Sequence, residues 1–206
     1  MPPAQQDRGF VVSDNLMTGI PTEFSSANPV FGAYMADSVI AHNTIHDSRC
    51  ECSLPSPVQR PVLTPEWPVA DSGVCMGWGW GESSYMRNVQ IENNSITKPM
   101  QLLSDGGGVY TNTPCPDCHG TLEAFSDGHQ DMPFCQTVSL TQKVSGSVSR
   151  NYFSGDPHVY GCLYHDGGSS LWTDENNVFN HMGTSAVFCH GSCPGISISP
   201  ICKWQR

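Results

Sequence analysis

Five short segments of the chain repeat one pattern: an apolar residue, two polar residues, Asn, any residue, and an apolar residue. A fixed internal repeat decides an architecture more strongly than any local propensity. The segments are Val12-Ser13-Asp14-Asn15-Leu16-Met17, Ile40-Ala41-His42-Asn43-Thr44-Ile45, Ile91-Glu92-Asn93-Asn94-Ser95-Ile96, Val148-Ser149-Arg150-Asn151-Tyr152-Phe153 and Asp174-Glu175-Asn176-Asn177-Val178-Phe179. Only the last lacks the leading apolar residue. Successive asparagines are 28, 51, 57 and 26 residues apart, so two intervals are near one solenoid turn and two near twice that. The long intervals hold stretches without alternation, Cys50 to Val69 with five prolines and about Thr113 to Gln142, which read as insertions near 48–70 and 113–142.

A second segment recurs after the asparagine segments: Gly73-Val74-Cys75-Met76-Gly77, Gly108-Val109-Tyr110-Thr111-Asn112, Cys162-Leu163-Tyr164-His165-Asp166 and, more loosely, Ala186-Val187-Phe188-Cys189-His190. Short alternating strands at fixed places in each turn are what a β-helix coil requires. Coils stacked about 4.8 Å apart would bring equivalent asparagines into one hydrogen-bonded ladder. A β-sandwich or propeller also has short strands between turns, but neither explains the fixed Asn offset. The expected fold is all-β: a right-handed parallel β-helix of about five coils, one domain over 1–206, with an irregular tail over 191–206. A rung-like segment already stands at Phe10 to Met17, and an uncapped coil exposes strand edge and core, so the chain is expected to be a fragment of a larger coil.

Composition narrows the partners. Nine Lys plus Arg against 19 Asp plus Glu give a net charge of −10, which repels phosphate backbones and anionic lipid surfaces over a Debye length of about 8 to 10 Å. Neither nucleic acid nor a membrane is an expected partner, and no apolar run approaches the ~18 residues of a span. The start Met1-Pro2-Pro3-Ala4-Gln5-Gln6 has no apolar signal core. The ten cysteines point toward the secretory pathway or the extracellular space. Their even number suits disulfides, with buried thiols and a zinc site at Cys115, Cys118, His119, His129 and Cys135 as open alternatives. A second well-spaced ligand pair is missing, so neither a metal site nor a cofactor is assigned.

Three motifs carry the chemistry. In Gly77-Trp78-Gly79-Trp80-Gly81-Glu82, the glycines offer no packing partners for two indoles. Exposed indoles suit the apolar face of a pyranose, and Glu82 can accept from its hydroxyls; a loop capping the core is the plainer alternative. Asp105-Gly106-Gly107-Gly108 and Asp166-Gly167-Gly168 would set two carboxylates on neighbouring rungs, as glycosidic hydrolysis requires, although Asp-Gly also simply makes turns. In this order, with Leu163-Tyr164-His165-Asp166-Gly167-Gly168-Ser169-Ser170 and Asn176-Asn177-Val178-Phe179-Asn180, the motifs over roughly Ala36 to His190 resemble a family of right-handed β-helix glycoside hydrolases and hydrolase-like proteins of the xylanase and α-fucosidase kind.

That resemblance implies a polysaccharide or oligosaccharide substrate of plant or algal type, with Asp105 and Asp166 as the catalytic acids. The sequence departs from the family in its cysteine-rich stretch Thr113 to Gln142 and in His165-Asp166-Gly167, where an acidic residue often follows the Asp. Trp78, Trp80, Glu82, Tyr110, Tyr164 and His165 are the expected substrate contacts. A noncatalytic carbohydrate-binding or structural β-helix is the first alternative. A polysaccharide lyase is the second; it needs a basic residue, of which Arg87 is closest to the motifs, and usually a cation site. The repeat register sets Tyr110 beside Tyr164 and Asn112 beside Asp166. If residues 105 to 112 were extended, seven steps of roughly 3.3 Å would part Asp105 from that level, so the glycines must bend the chain back.

Overall fold

A computed structural model describes residues 6–20, 27–47, 72–77, 84–100, 105–114, 145–155, 160–183, 185–190, 195–199 and 202–204. These residues form strands and turns with no helix, and the named strands pair only in parallel. Among them the strands make three sheets. In the first, Asp7–Arg8 and Val11–Ser13 lie on Met35–Ala41, followed by Arg87–Glu92, Gly146–Ser149, Trp172–Glu175 and Ser197–Ile198. The second runs through Leu16–Thr18, Thr44–His46, Ser95–Thr97, Tyr152–Ser154, Val178–Asn180 and Cys202–Trp204. The third stacks Val30–Gly32, Val74–Met76, Val109–Asn112, Gly161–Asp166 and Ser185–Cys189. The chain visits the sheets in rotation, the topology of a parallel β-helix-like solenoid.

The repeated asparagines occupy equivalent corners between the first and second sheets, as their spacing predicts. Oδ1 of each accepts both the backbone N–H and the side-chain Nδ2–H of its predecessor: Asn43 from Asn15 at 3.1 and 2.9 Å, Asn94 from Asn43 at 2.9 and 3.0 Å, Asn151 from Asn94 at 2.9 and 3.0 Å, and Asn177 from Asn151 at 3.0 and 3.1 Å. Nδ2 of Asn43, Asn94, Asn151 and Asn177 also donates to the carbonyl of the residue that opens the preceding repeat, Val12, Ile40, Ile91 and Val148. The residue before each asparagine, Asp14, His42, Asn93, Arg150 or Asn176, is left-handed, with φ between 54 and 60°. Asp14, Asn93 and Asn176 suit that region, whereas Arg150 does not, so at Arg150 the turn is imposed by the corner rather than chosen by its residue.

The interior is built from the inward half of each alternation. Val74, Val109 and Leu163 are in register in the third sheet, Ile40, Ile91 and Val148 in the first, and Ile45, Ile96, Phe153 and Phe179 in the second, all within one buried cluster. Each such side chain contributes about 1.5–3 kcal/mol of burial. The irregular fifth repeat has a partner for its irregularity. Asp174, aligned with Val148, is fully buried and its Oδ2 lies 2.9 Å from His165 Nε2, while His165 Nδ1 meets Thr111 Oγ1 at 2.8 Å.

Two expectations are revised. The tail, read as irregular from 191, supplies Ser197–Ile198 and Cys202–Trp204 to the first and second sheets, because ladder bonding uses backbone groups and needs no asparagine motif. A disulfide framework finds no support at Cys75, a buried free thiol. Cys50, Cys52, Cys115, Cys118, Cys135 and Cys193, together with His119 and His129, lie outside the described residues, as do most of the two expected insertions. Among the described residues no three His, Cys, Asp or Glu side chains converge as metal ligands.

Candidate active site

Alternation in the third sheet sends Val74, Val109 and Leu163 inward and places Cys75, Tyr110 and Tyr164 in a second buried cluster, with Phe188 packed against it. Two columns therefore run across this outer face. The aromatic column includes edge-to-face pairs of Tyr110 with Tyr164, centroids 5.2 Å apart, and of Tyr164 with Phe188, 5.1 Å apart. The polar column holds Asn112 level with Asp166, and His190, whose N–H donates to the His165 carbonyl at 2.8 Å, on the next rung.

Asp166 stands between them, 2% exposed, with both oxygens engaged. Oδ2 accepts the Tyr110 hydroxyl on the diagonal, and Oδ1 lies 2.6 Å from Nδ1 of the largely exposed His190. A carboxylate at that distance places a proton on Nδ1. Burial, and next the Asp166 charge, push the Tyr110 and Tyr164 hydroxyls well above the usual tyrosine range, so both remain donors. Burial likewise pushes the Cys75 thiol up to about 12, which removes it as a nucleophile.

Asp105 reaches the same face. It is half-buried and hydrogen-bonded to Tyr164. Burial raises its carboxyl above the usual range, the Tyr164 bond opposes that, the Asp166 charge raises it further, and His190 draws it down. Two of the three glycines after it work through their missing side chains: a Cβ on Gly107 would come within 2.6 Å of the Gly161 carbonyl oxygen, and one on Gly108 within 2.7 Å of Cys162 Sγ. The carboxyls share a face despite the seven chain steps from Asp105 to Asn112.

Asn112 differs from its neighbours. It is 2% exposed, and neither Nδ2 nor Oδ1 meets a partner in good hydrogen-bond geometry, the nearest polar contact of the amide being a loose one with the Tyr110 hydroxyl. A buried polar group left unpaired costs about 1–3 kcal/mol.

Of the residues singled out in the sequence, Asp105, Tyr110, Tyr164 and Asp166 are brought together. His165 is not: it lies one position off in the alternation, and its ring is held inside the coil by Asp174 and Thr111. Trp78, Trp80 and Glu82 lie outside the described residues. His190, Asn112 and Phe188 were missed. The signal for the first two was present, since Asn112, Asp166 and His190 all close the second repeated segment. No protein-family model matches the chain, and neither a curated protein nor a solved structure does so.

Proposed function

We propose that this chain is a carbohydrate-active β-helix protein that hydrolyses glycosidic bonds of a plant- or algal-type polysaccharide on the outer face of the third sheet. The observation that carries the reading is a pair of carboxyls on one face in unequal surroundings. Asp105, raised by burial and by the neighbouring charge, is the proton donor to the leaving oxygen. Asp166, oriented through both oxygens by Tyr110 and His190, is the base or nucleophile at the anomeric carbon. Tyr110 and Tyr164 would wall the groove, with Trp78, Trp80 and Glu82 as further sugar contacts. The reading includes a right-handed coil of about five turns interrupted near 48–70 and 113–142, in an extracellular setting.

His190 favours a second reading. An exposed imidazole beside a carboxylate can also serve as the base of a polysaccharide lyase. Product chemistry separates the two, because hydrolysis adds water across the bond whereas elimination leaves an unsaturated sugar that absorbs in the ultraviolet. The test is release of reducing ends from a polysaccharide panel by the wild type, Asp105→Asn and Asp166→Asn. Loss in both variants with the fold intact is the expected result. Full activity in either overturns the assignment of that carboxyl, and no release by the wild type leaves a binding or structural coil.

A further inference from the structure

Resting on the two-carboxyl reading of this face, we infer that His190 is its catalytic base, taking the proton of the attacking water on Nε2, and that Asp166 acts through it. The choice between base and nucleophile turns on what the Asp166 carboxylate can touch. Its side chain is 3% exposed, with one oxygen taken by the Tyr110 hydroxyl and the other 2.6 Å from His190 Nδ1. A nucleophile must bring an oxygen against the anomeric carbon, and neither oxygen here is open to one. The His190 side chain, by contrast, is 62% exposed. Its ring lies nearly parallel to that of Phe188, at 18° with centroids 6.3 Å apart, and its backbone N–H is tied to the His165 carbonyl at 2.8 Å. The imidazole is therefore the part of the pair that solvent reaches, and it is held in place. With a proton on Nδ1, Nε2 of the neutral ring is the acceptor. A buried carboxylate behind an imidazole fixes this tautomer and stabilises the cation that forms when the ring takes a second proton. Asp105, close enough for His190 to act on its carboxyl, is the partner acid. In the step itself a water O–H bond breaks and its proton goes to Nε2, while the water oxygen bonds to the anomeric carbon. The glycosidic C–O bond breaks, its electron pair stays on the leaving oxygen, and that oxygen takes the Asp105 proton. Direct attack by water inverts the anomeric centre.

The test follows reducing-end release from xylan, fucoidan, pectin and agarose and, by NMR, the anomer formed first. The wild type should release the inverted anomer. His190→Ala should lower kcat by about 10²–10⁴-fold with KM little changed, and added imidazole should restore the rate in proportion to its concentration. His190→Asn, whose amide can still donate to Asp166 in place of Nδ1–H, should keep the fold without Nε2 and be as slow as His190→Ala, which keeps the test open if the alanine variant does not fold. Imidazole should not restore Asp166→Asn, where His190 still fills its place. Retention of configuration, a full rate in His190→Asn, or a folded His190→Ala that is slow and that imidazole does not restore would overturn the inference. With both aspartate variants inactive, the two-carboxyl reading then stands without it. If Asp105→Asn keeps full hydrolysis while His190→Ala is slow and rescued, that reading falls and the base stands. No release from any of the four polysaccharides by the wild type overturns both.

Discussion

Two polar columns climb this solenoid, and they obey opposite rules. At the corner between the first and second sheets the rungs carry the same residue five times, and each side chain completes the one before it. On the outer face of the third sheet the equivalent rungs carry Asn112, Asp166 and His190, all different, and the Asn112 amide is buried without completing its hydrogen bonds. Repetition with every bond satisfied is what a scaffold needs. Variation is what a ligand-binding surface needs, at the expense of some stability.

Breaking the variable column should show first in catalysis. Asp166→Asn is expected to lower kcat by about 10²–10⁴-fold with little change in melting temperature, measured by reducing-end release alongside thermal unfolding. The corner column should respond the other way. Asn94→Ala removes bonds to Asn43, Ile40 and Asn151 inside the core and should cost about 3–5 kcal/mol in denaturant unfolding. Asn15→Ala, at the exposed rung, should cost less than about 1 kcal/mol. Equal losses at Asn94 and Asn15 would break the view of a buried, cooperative ladder.

Asp105 sharpens the contrast through pH. Its folded value is raised, so over the window from the ordinary aspartate range to that raised value the folded protein keeps a proton the unfolded chain has lost. Stability must then fall as pH rises through that window, and hydrolysis that uses Asp105 as donor should fall with it. Asp105→Asn should flatten the stability limb while abolishing the activity limb, as followed by melting temperature and rate from acid to neutral pH. The smallest effect belongs to the turns. His42 is exposed at φ 57°, and His42→Gly should stabilise by no more than about 1 kcal/mol.

The legibility of the sequence followed the same division. The ladder could be read because Asn recurs at one offset from apolar residues, and the register Tyr110 with Tyr164 and Asn112 with Asp166 came from aligning the second segment. His165 stands apart from that motif because its neighbours in sequence, Tyr164 and Asp166, face outward, whereas its own partner is Asp174, the polar residue that opens the fifth repeat. Two anomalies nine residues apart cancel each other inside the coil. His190 and Asn112 lacked any motif of their own; only their common place at the end of the second segment links them to Asp166. The tail strands escaped notice because backbone pairing leaves no trace in side-chain pattern.

The asparagine ladder also has a polarity. From Asn15 to Asn151 each amide gives one N–H to the Oδ1 of the next asparagine, while from Asn43 onward Nδ2 also gives to a carbonyl of the preceding rung, so the run of amide-to-amide bonds is an arrow rather than a mirror. A further amide that extended this run before Asn15 would have to donate to it, and one that extended it after Asn177 would have to accept from it. Two such columns can be joined tip to tail, whereas joining tip to tip would bring like groups face to face. Growth along this axis is therefore heterologous in kind and runs in a single sense.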